Sequence, residues 1–229
     1  MTTTLITGAN RGIGLEFARQ LTKAGHTVIA TAREPGKAAE LKATGARVEQ
    51  LDATDPASIH ALAERLGSTP IDVLINNAAV FLDKKKPSFT ETTAEDLIET
   101  YRVNVAGPML VTQALASNVQ RSDRKVIAHI SSDMGSISRA IESDWKGHLA
   151  YRSSKSALNM AHVLMANELA EQGITAVAIH PGWVQTDMGG DGATLTPNES
   201  VSAMLKIITG ASPADNAKFF SYEGHELGW

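Results

Sequence analysis

Short runs of β-branched and aliphatic residues alternate along the chain with longer stretches of helical periodicity. The runs Thr3–Thr7, Thr27–Ala32, Arg47–Leu51, Val73–Asn76, Lys125–Ser131 and Thr175–His180 predict strands, and Lys218–Ser221 predicts a weaker one. Most lack a polar alternation, the pattern of strands covered on both faces in a parallel sheet. Helix starts are legible between them. Asp55-Pro56 pairs an N-cap residue with proline at the first helical position, and Thr93-Ala94-Glu95-Asp96 carries a start signal of the same kind. Thr196-Pro197-Asn198-Glu199 is a full capping box. This alternation predicts an α/β fold, a doubly wound parallel sheet of about seven strands with right-handed crossovers and helices on both faces. Residues 1–229 read as one domain without repeat or linker, and the glycine-rich segment 188–197 reads as a mobile loop after the sixth strand.

A length of 229 residues allows one well-buried α/β domain. The formal net charge of −4 gives no reason to expect a nucleic-acid or membrane partner, and the only basic run, Lys84-Lys85-Lys86, is short enough to be a solvated loop. With no cysteine, a disulfide, a thiolate nucleophile and a cysteine-ligated metal are all excluded, and a reducing compartment fits. The N-terminus has no basic-then-apolar signal, and no run approaches the ~20 apolar residues of a membrane span. The expectation is a cytoplasmic protein. Its seven histidines are scattered, so no metal centre is expected, and His129 and His180, in or at the end of strands, read as structural. No Gly-x-Ser-x-Gly elbow points to a hydrolase.

The chemistry begins directly after the first strand, at Thr7-Gly8-Ala9-Asn10-Arg11-Gly12-Ile13-Gly14. Glycines here allow a sharp turn and let backbone N–H groups approach a pyrophosphate at the positive end of the next helix. The Gly-x-x-x-Gly-x-Gly spacing is neither a Walker loop nor Gly-x-Gly-x-x-Gly, but its position between first strand and first helix points to nucleotide binding. An acidic residue closing the second strand would favour NAD(H) by accepting the ribose hydroxyls. Here the strand ends Thr31-Ala32-Arg33, and Arg11 adds a second guanidinium on the same side. Guanidinium suits a 2′-phosphate, so NADP(H) is preferred over NAD(H), although Glu34 beside Arg33 pulls the other way.

Tyr151 and Lys155 stand one helical turn apart in "LAYRSSKSALNM". Taken with the glycine turn, the Asn76-Asn77-Ala78-Ala79 end of the fourth strand, Asn104 in "YRVNVAG" and "HISSDMGS" after the fifth, the order of motifs resembles the short-chain dehydrogenase/reductase family over essentially the whole chain. The resemblance implies a single-domain Rossmann-type fold and a reversible hydride transfer between a nicotinamide cofactor and a carbonyl or alcohol. It implies that Tyr151 is the general acid/base and that Lys155 lowers its pKa and binds ribose hydroxyls. Ser132, three residues before Gly135, is preferred over Ser131 as the group that holds the substrate oxygen, and Asn104 resembles the residue of a proton relay toward Lys155. Asp52, with Ala53 beside it, resembles the contact to the adenine edge. Asn77, Ala78 and Ala79 resemble the cofactor-side turn. Pro181, Gly182, Val184 and Thr186 resemble the segment that meets the carboxamide.

Nineteen positions separate Ser132 from Tyr151, several more than is common in the family. The extra chain, "SRAIESDWKGH", is expected beside the cleft, where Trp145, Met134, Trp183 and Met188 would shape the substrate pocket. "YRSSKSALNM", "PGWVQTDMGG" and the terminal "FFSYEGHELGW" look most like the C-factor and sniffer-type carbonyl reductases, although Gly228 stands where those more often have proline. The implied function is NADPH-dependent reduction of a ketone or aldehyde. An NADP(H)-binding signalling or redox-sensing protein with little turnover is the alternative. Pairing of two long helices, around Thr93–Arg121 and Tyr151–Gly173, would make a homodimer or homotetramer.

Overall fold

The computed structural model describes residues 1–86 and 88–229. Its strands are β1 (Thr3–Ile6), β2 (Thr27–Ala32), β3 (Arg47–Gln50), β4 (Val73–Asn76), β5 (Val126–Ile130), β6 (Thr175–His180) and β7 (Lys218–Ser221). All pair in parallel, in the order β3-β2-β1-β4-β5-β6-β7. Winding therefore reverses between β1 and β4, the crevice at which open α/β sheets take their ligands.

The helices are α1 (Gly12–Lys23), α2 (Ala39–Ala43), α3 (Pro56–Leu66), α4 (Ala94–Tyr101), α5 (Gly107–Gln120), α6 (Ile137–Glu142), α7 (Leu149–Ala170) and α8 (Pro197–Gly210). Two apolar layers explain the strand pattern. Ile6, Ala30, Ile75, Ala128 and Val177 pack with Leu15, Phe17 and Leu21 of α1 and Val201, Met204 and Ile208 of α8. Their neighbours Leu5, Ile29, Leu74, Ile127 and Ala176 point to the other face, against Leu62 of α3, Leu115 of α5 and Leu169 of α7. Both sides of each central strand are thus buried, and no polar alternation is possible. The helix starts are the expected ones. Asp55 accepts from the Ala57 N–H, and Thr93 with Asp96 and Thr196 with Glu199 close capping boxes.

The helix expected around Thr93–Arg121 is interrupted. A π turn, Arg102–Ala106, separates α4 from α5. Pro108 has no N–H to offer the carbonyl four residues back, that of Asn104, so the regular ladder cannot run through this point. The wider turn points the Asn104 side chain into the protein, where it is buried. Segment 188–197, expected to be mobile, is tied back: Gln185 N–H donates to the Leu195 carbonyl (2.8 Å), Leu195 N–H to that of Trp183 (3.0 Å), and the Trp183 indole to that of Gly189 (3.0 Å). Among the described residues no helix is long and apolar enough to cross a membrane.

Candidate active site

The carboxyl ends of β1, β4, β5 and β6 bring most of the predicted site residues to one edge of the sheet. The glycine turn is stapled to the end of β4. Asn77 donates its amide to the carbonyls of Thr7 (3.0 Å) and Gly8 (3.1 Å), while the Thr7 hydroxyl accepts from the N–H groups of Asn77 (3.0 Å) and Ala78 (3.1 Å). The fit leaves no room for side chains: a Cβ on Gly14 would stand 2.5 Å from the Gly8 carbonyl oxygen, and one on Gly8, with φ +65°, would stand 2.8 Å from Ala78 Cα. Gly12 faces Thr186 of the β6–α8 loop. Ile13 packs its side chain on the core, leaving only its backbone for a ligand, whereas Asn10 is exposed. Thr7, not expected as a site residue, is the centre of the staple.

Helix α1 begins at Gly12 with no side-chain cap and no acidic residue in its first turn. Its N–H groups and positive end are therefore free for an anion, the donor set a cofactor pyrophosphate requires. Arg33 is exposed at the end of β2. Arg11 does not stand beside it as a second free guanidinium: it reaches across to Asp187 at 2.6 Å, an exposed pair that links the glycine turn to the β6–α8 loop. Asp52 accepts from the Thr54 hydroxyl (2.7 Å) and N–H (2.9 Å), and these bonds, helped by Arg33 and Arg102, hold its carboxyl below the usual range. Ala53 lies against Gly107.

Tyr151 and Lys155 lie on the buried face of α7, against the turn that follows β5. The two serines of that turn part. Ser131 donates to Asn159 (2.6 Å) and is committed to the core, whereas the Ser132 hydroxyl accepts from Met134 N–H (3.2 Å) and stands near the Tyr151 phenol. Burial above all, with the Asp133 carboxylate adding to it and Ser132 opposing it, pushes the phenol up to about 12. The Lys155 ammonium donates to the Ile130 carbonyl at 2.9 Å and stands 5.8 Å from the centre of the phenol ring, and burial pulls its pKa down to about 8. Asn104 sits beside α7: its amide pairs with Val80 N–H (2.8 Å) and carbonyl (2.9 Å) and donates to the Ser154 hydroxyl (3.1 Å).

The residues 2–194 match the family model described as short chain dehydrogenase. The chain belongs to the short-chain dehydrogenase family. Among curated relatives, the C-signal of Myxococcus xanthus is 39% identical over 171 residues, covering 75% of this chain and 100% of that protein. Among solved structures, an NADPH-bound carbonyl reductase from chicken fatty liver superposes with a TM-score of 0.91 at 35% identity, covering 100% of this chain and 99% of that one. The carbonyl reductase Sniffer of D. melanogaster gives 0.91 at 29% identity, with both chains covered completely (100%).

In this short-chain dehydrogenase the segment between Ser132 and Tyr151 forms α6. The guanidiniums of Arg152 (4.7 Å) and Arg139 (5.6 Å) both stand over the Trp145 ring. Asp133, next to Ser132, draws in Arg139 and His180, each at 3.5 Å. Ser136 and Ser138 bond the carbonyls of Gly228 and Trp229, so α6 is tethered to the C-terminal residues. Met134 and Met188 are half-buried and Trp183 is exposed, while Pro181 accepts from Ser200 and Val184 is buried. Gly135 closes the turn against α7, where an added Cβ would stand 2.6 Å from Lys155 Cβ. Gly135→Ala must therefore push Ser132 away from Tyr151, costing about 1–3 kcal/mol of stability with a fall in turnover. Thermal unfolding and kcat measured on one preparation check both effects.

Proposed function

We propose that this protein is an NADPH-dependent carbonyl reductase acting on ketones or aldehydes. The observation that carries the reading is a buried phenol, Tyr151, near Ser132 and one helical turn before the buried Lys155 on α7, in a chain whose α1 N-terminus carries no side-chain cap. Bound with its pyrophosphate at that helix end, NADPH supplies the hydride that the carbonyl carbon accepts. Ser132 donates a hydrogen bond to the carbonyl oxygen and polarises it. Tyr151 gives the same oxygen its proton, so ketone, hydride and proton add up to the alcohol. Burial keeps the phenol protonated at neutral pH, the form in which it can donate a proton. Lys155, with its pKa near 8, carries a proton that can be lost and regained close to neutrality, within the same helical turn.

The NADPH-bound neighbour and the exposed Arg33 both support NADP(H) over NAD(H). A charge-assisted bond to a 2′-phosphate is worth about 1.5–3 kcal/mol, so Arg33→Ala should raise the KM for NADPH about tenfold or more and leave that for NADH unchanged. Equal changes in both KM values would rule the preference out. A second reading is favoured by the C-signal relative: an NADP(H)-binding signalling protein with little turnover. NADPH consumption over a panel of ketones, diketones, aldehydes and quinones separates the two. Turnover above the no-substrate rate supports the reductase; cofactor binding without turnover supports the signalling protein. Exposed Ile98, Met160 and Leu164 on α4 and α7 support association with a second copy, and Leu164→Glu is expected to lower the mass seen by light scattering.

A further inference from the structure

We propose that Asp83 is a positioning residue for Tyr151: its buried carboxylate caps α7 from a distant loop and fixes where the phenol points. The proposal rests on the reductase reading above. Helix α7 does not supply its own start. His148, the residue before it, is in the left-handed region (φ 57°, ψ 43°), gives no side-chain cap, and is followed by no acidic residue in the first turn. The N–H groups of that turn need an acceptor from elsewhere.

Asp83 provides it. One carboxylate oxygen accepts from Ala150 N–H at 2.8 Å and the other from Tyr151 N–H at 3.3 Å. Asp83 is fully buried, and a buried carboxylate persists only where donors and a positive potential meet it. Here these are two amides and the positive end of a 22-residue helix. The neighbours of Asp83 grip the same turn. The His148 ring nitrogen pairs with the Asp83 carbonyl at 3.1 Å. Phe81 stacks on the Tyr151 ring with centroids 4.1 Å apart and an interplanar angle of 17°, and meets His148 edge-on at 5.0 Å. Val80 holds the Asn104 amide, which reaches Ser154, whose hydroxyl donates to the Tyr151 carbonyl at 2.7 Å. Residues 80–83 leave the Asn77-Ala78 turn directly, so one loop joins the nucleotide side of the site to the proton donor. Among the described residues the Asp83 carboxylate bonds backbone N–H groups only, and it acts through Tyr151.

The test compares Asp83→Ala and Asp83→Asn with the unaltered chain and with Tyr151→Phe. Misplacing a reacting group by an ångström costs up to about 10²-fold, so Asp83→Ala should lower kcat about 10- to 100-fold, with the KM for NADPH within about twofold. Asp83→Asn should recover part of the loss, because the amide oxygen still accepts one N–H. A readout independent of turnover is NMR of isotope-labelled tyrosine, with the Tyr151 signal assigned by its loss in Tyr151→Phe. In Asp83→Ala the phenol should titrate below its position of about 12, since a loosened first turn admits water to the ring. A folded Asp83→Ala protein with unchanged kcat and an unmoved Tyr151 titration would overturn the proposal. If the alanine variant does not fold, Asp83→Asn decides: a partial loss of kcat with a shifted titration supports the cap, and wild-type values refute it. Failure of the reductase reading is seen separately, as an unaltered chain without turnover, and the NMR titration then decides alone.

Discussion

Tyr151→Phe is expected to lower kcat for carbonyl reduction about 10²–10⁴-fold, the range in which a positioned general acid contributes. The substitution removes one oxygen and little else. The ring that stacks on Phe81 stays, and the first turn of α7 keeps the backbone bonds from Asp83, so the fold should tolerate it. NADPH affinity should change little, because the glycine turn and the end of α1 are untouched. Measured by cofactor fluorescence titration beside steady-state kinetics, the expected pattern is a collapsed kcat at an unchanged dissociation constant. Turnover within a few-fold of the unaltered chain would remove Tyr151 from the mechanism.

Acid is expected to destabilise the protein through a pair of histidines behind the site. His129 on β5 and His162 on α7 meet Nδ1 to Nδ1 at 3.0 Å, both buried. Such a bond needs one nitrogen to donate and the other to accept, so a proton added to the acceptor sets two donors face to face. Burial pulls His162 down to about 4 and His129 well below its ordinary value, with the neighbouring charges of His162 and Lys155 adding to the latter. The unfolded chain thus binds protons first as pH falls below about 6.5, and stability rises with pH where the unfolded state holds more protons. Stability should therefore fall between about pH 6.5 and pH 4, by on the order of 3 kcal/mol for His162 alone. Denaturant unfolding across this range measures it. The double variant His129→Leu, His162→Leu should flatten the acid limb; an unaltered limb would assign acid sensitivity to other groups.

The strands were legible because a sheet buried on both faces writes uninterrupted apolar runs, and their ends fall within a residue of the expected ones. The caps at Asp55, Thr93 and Thr196 were legible because each cap and its partner lie within three residues of one another. The helix start at Leu149 was not, since its acceptor, Asp83, lies 67 residues before the amide it caps. Separations of 70 and 71 residues hid the Thr7 staple to Asn77 and Ala78, and one of 28 residues hid the commitment of Ser131 to Asn159. Two contacts set by electrostatics were also not legible: Arg11 is engaged by Asp187, and the Lys155 ammonium donates to the Ile130 carbonyl. The break at Asn104 had a local cue in Pro108, four residues on, which a reading in whole helices passed over.

The proposed reaction transfers the cofactor's hydride to a carbonyl carbon with Tyr151 as proton donor. Incubating the protein with NADPH carrying deuterium at both C4 positions of the nicotinamide and a reducible ketone, then analysing the product by mass spectrometry and NMR, tests it directly. The alcohol should carry one deuterium on its carbinol carbon with the unaltered chain, and should not form with Tyr151→Phe. Alcohol without that deuterium, or no alcohol from any carbonyl compound in the panel, would contradict it.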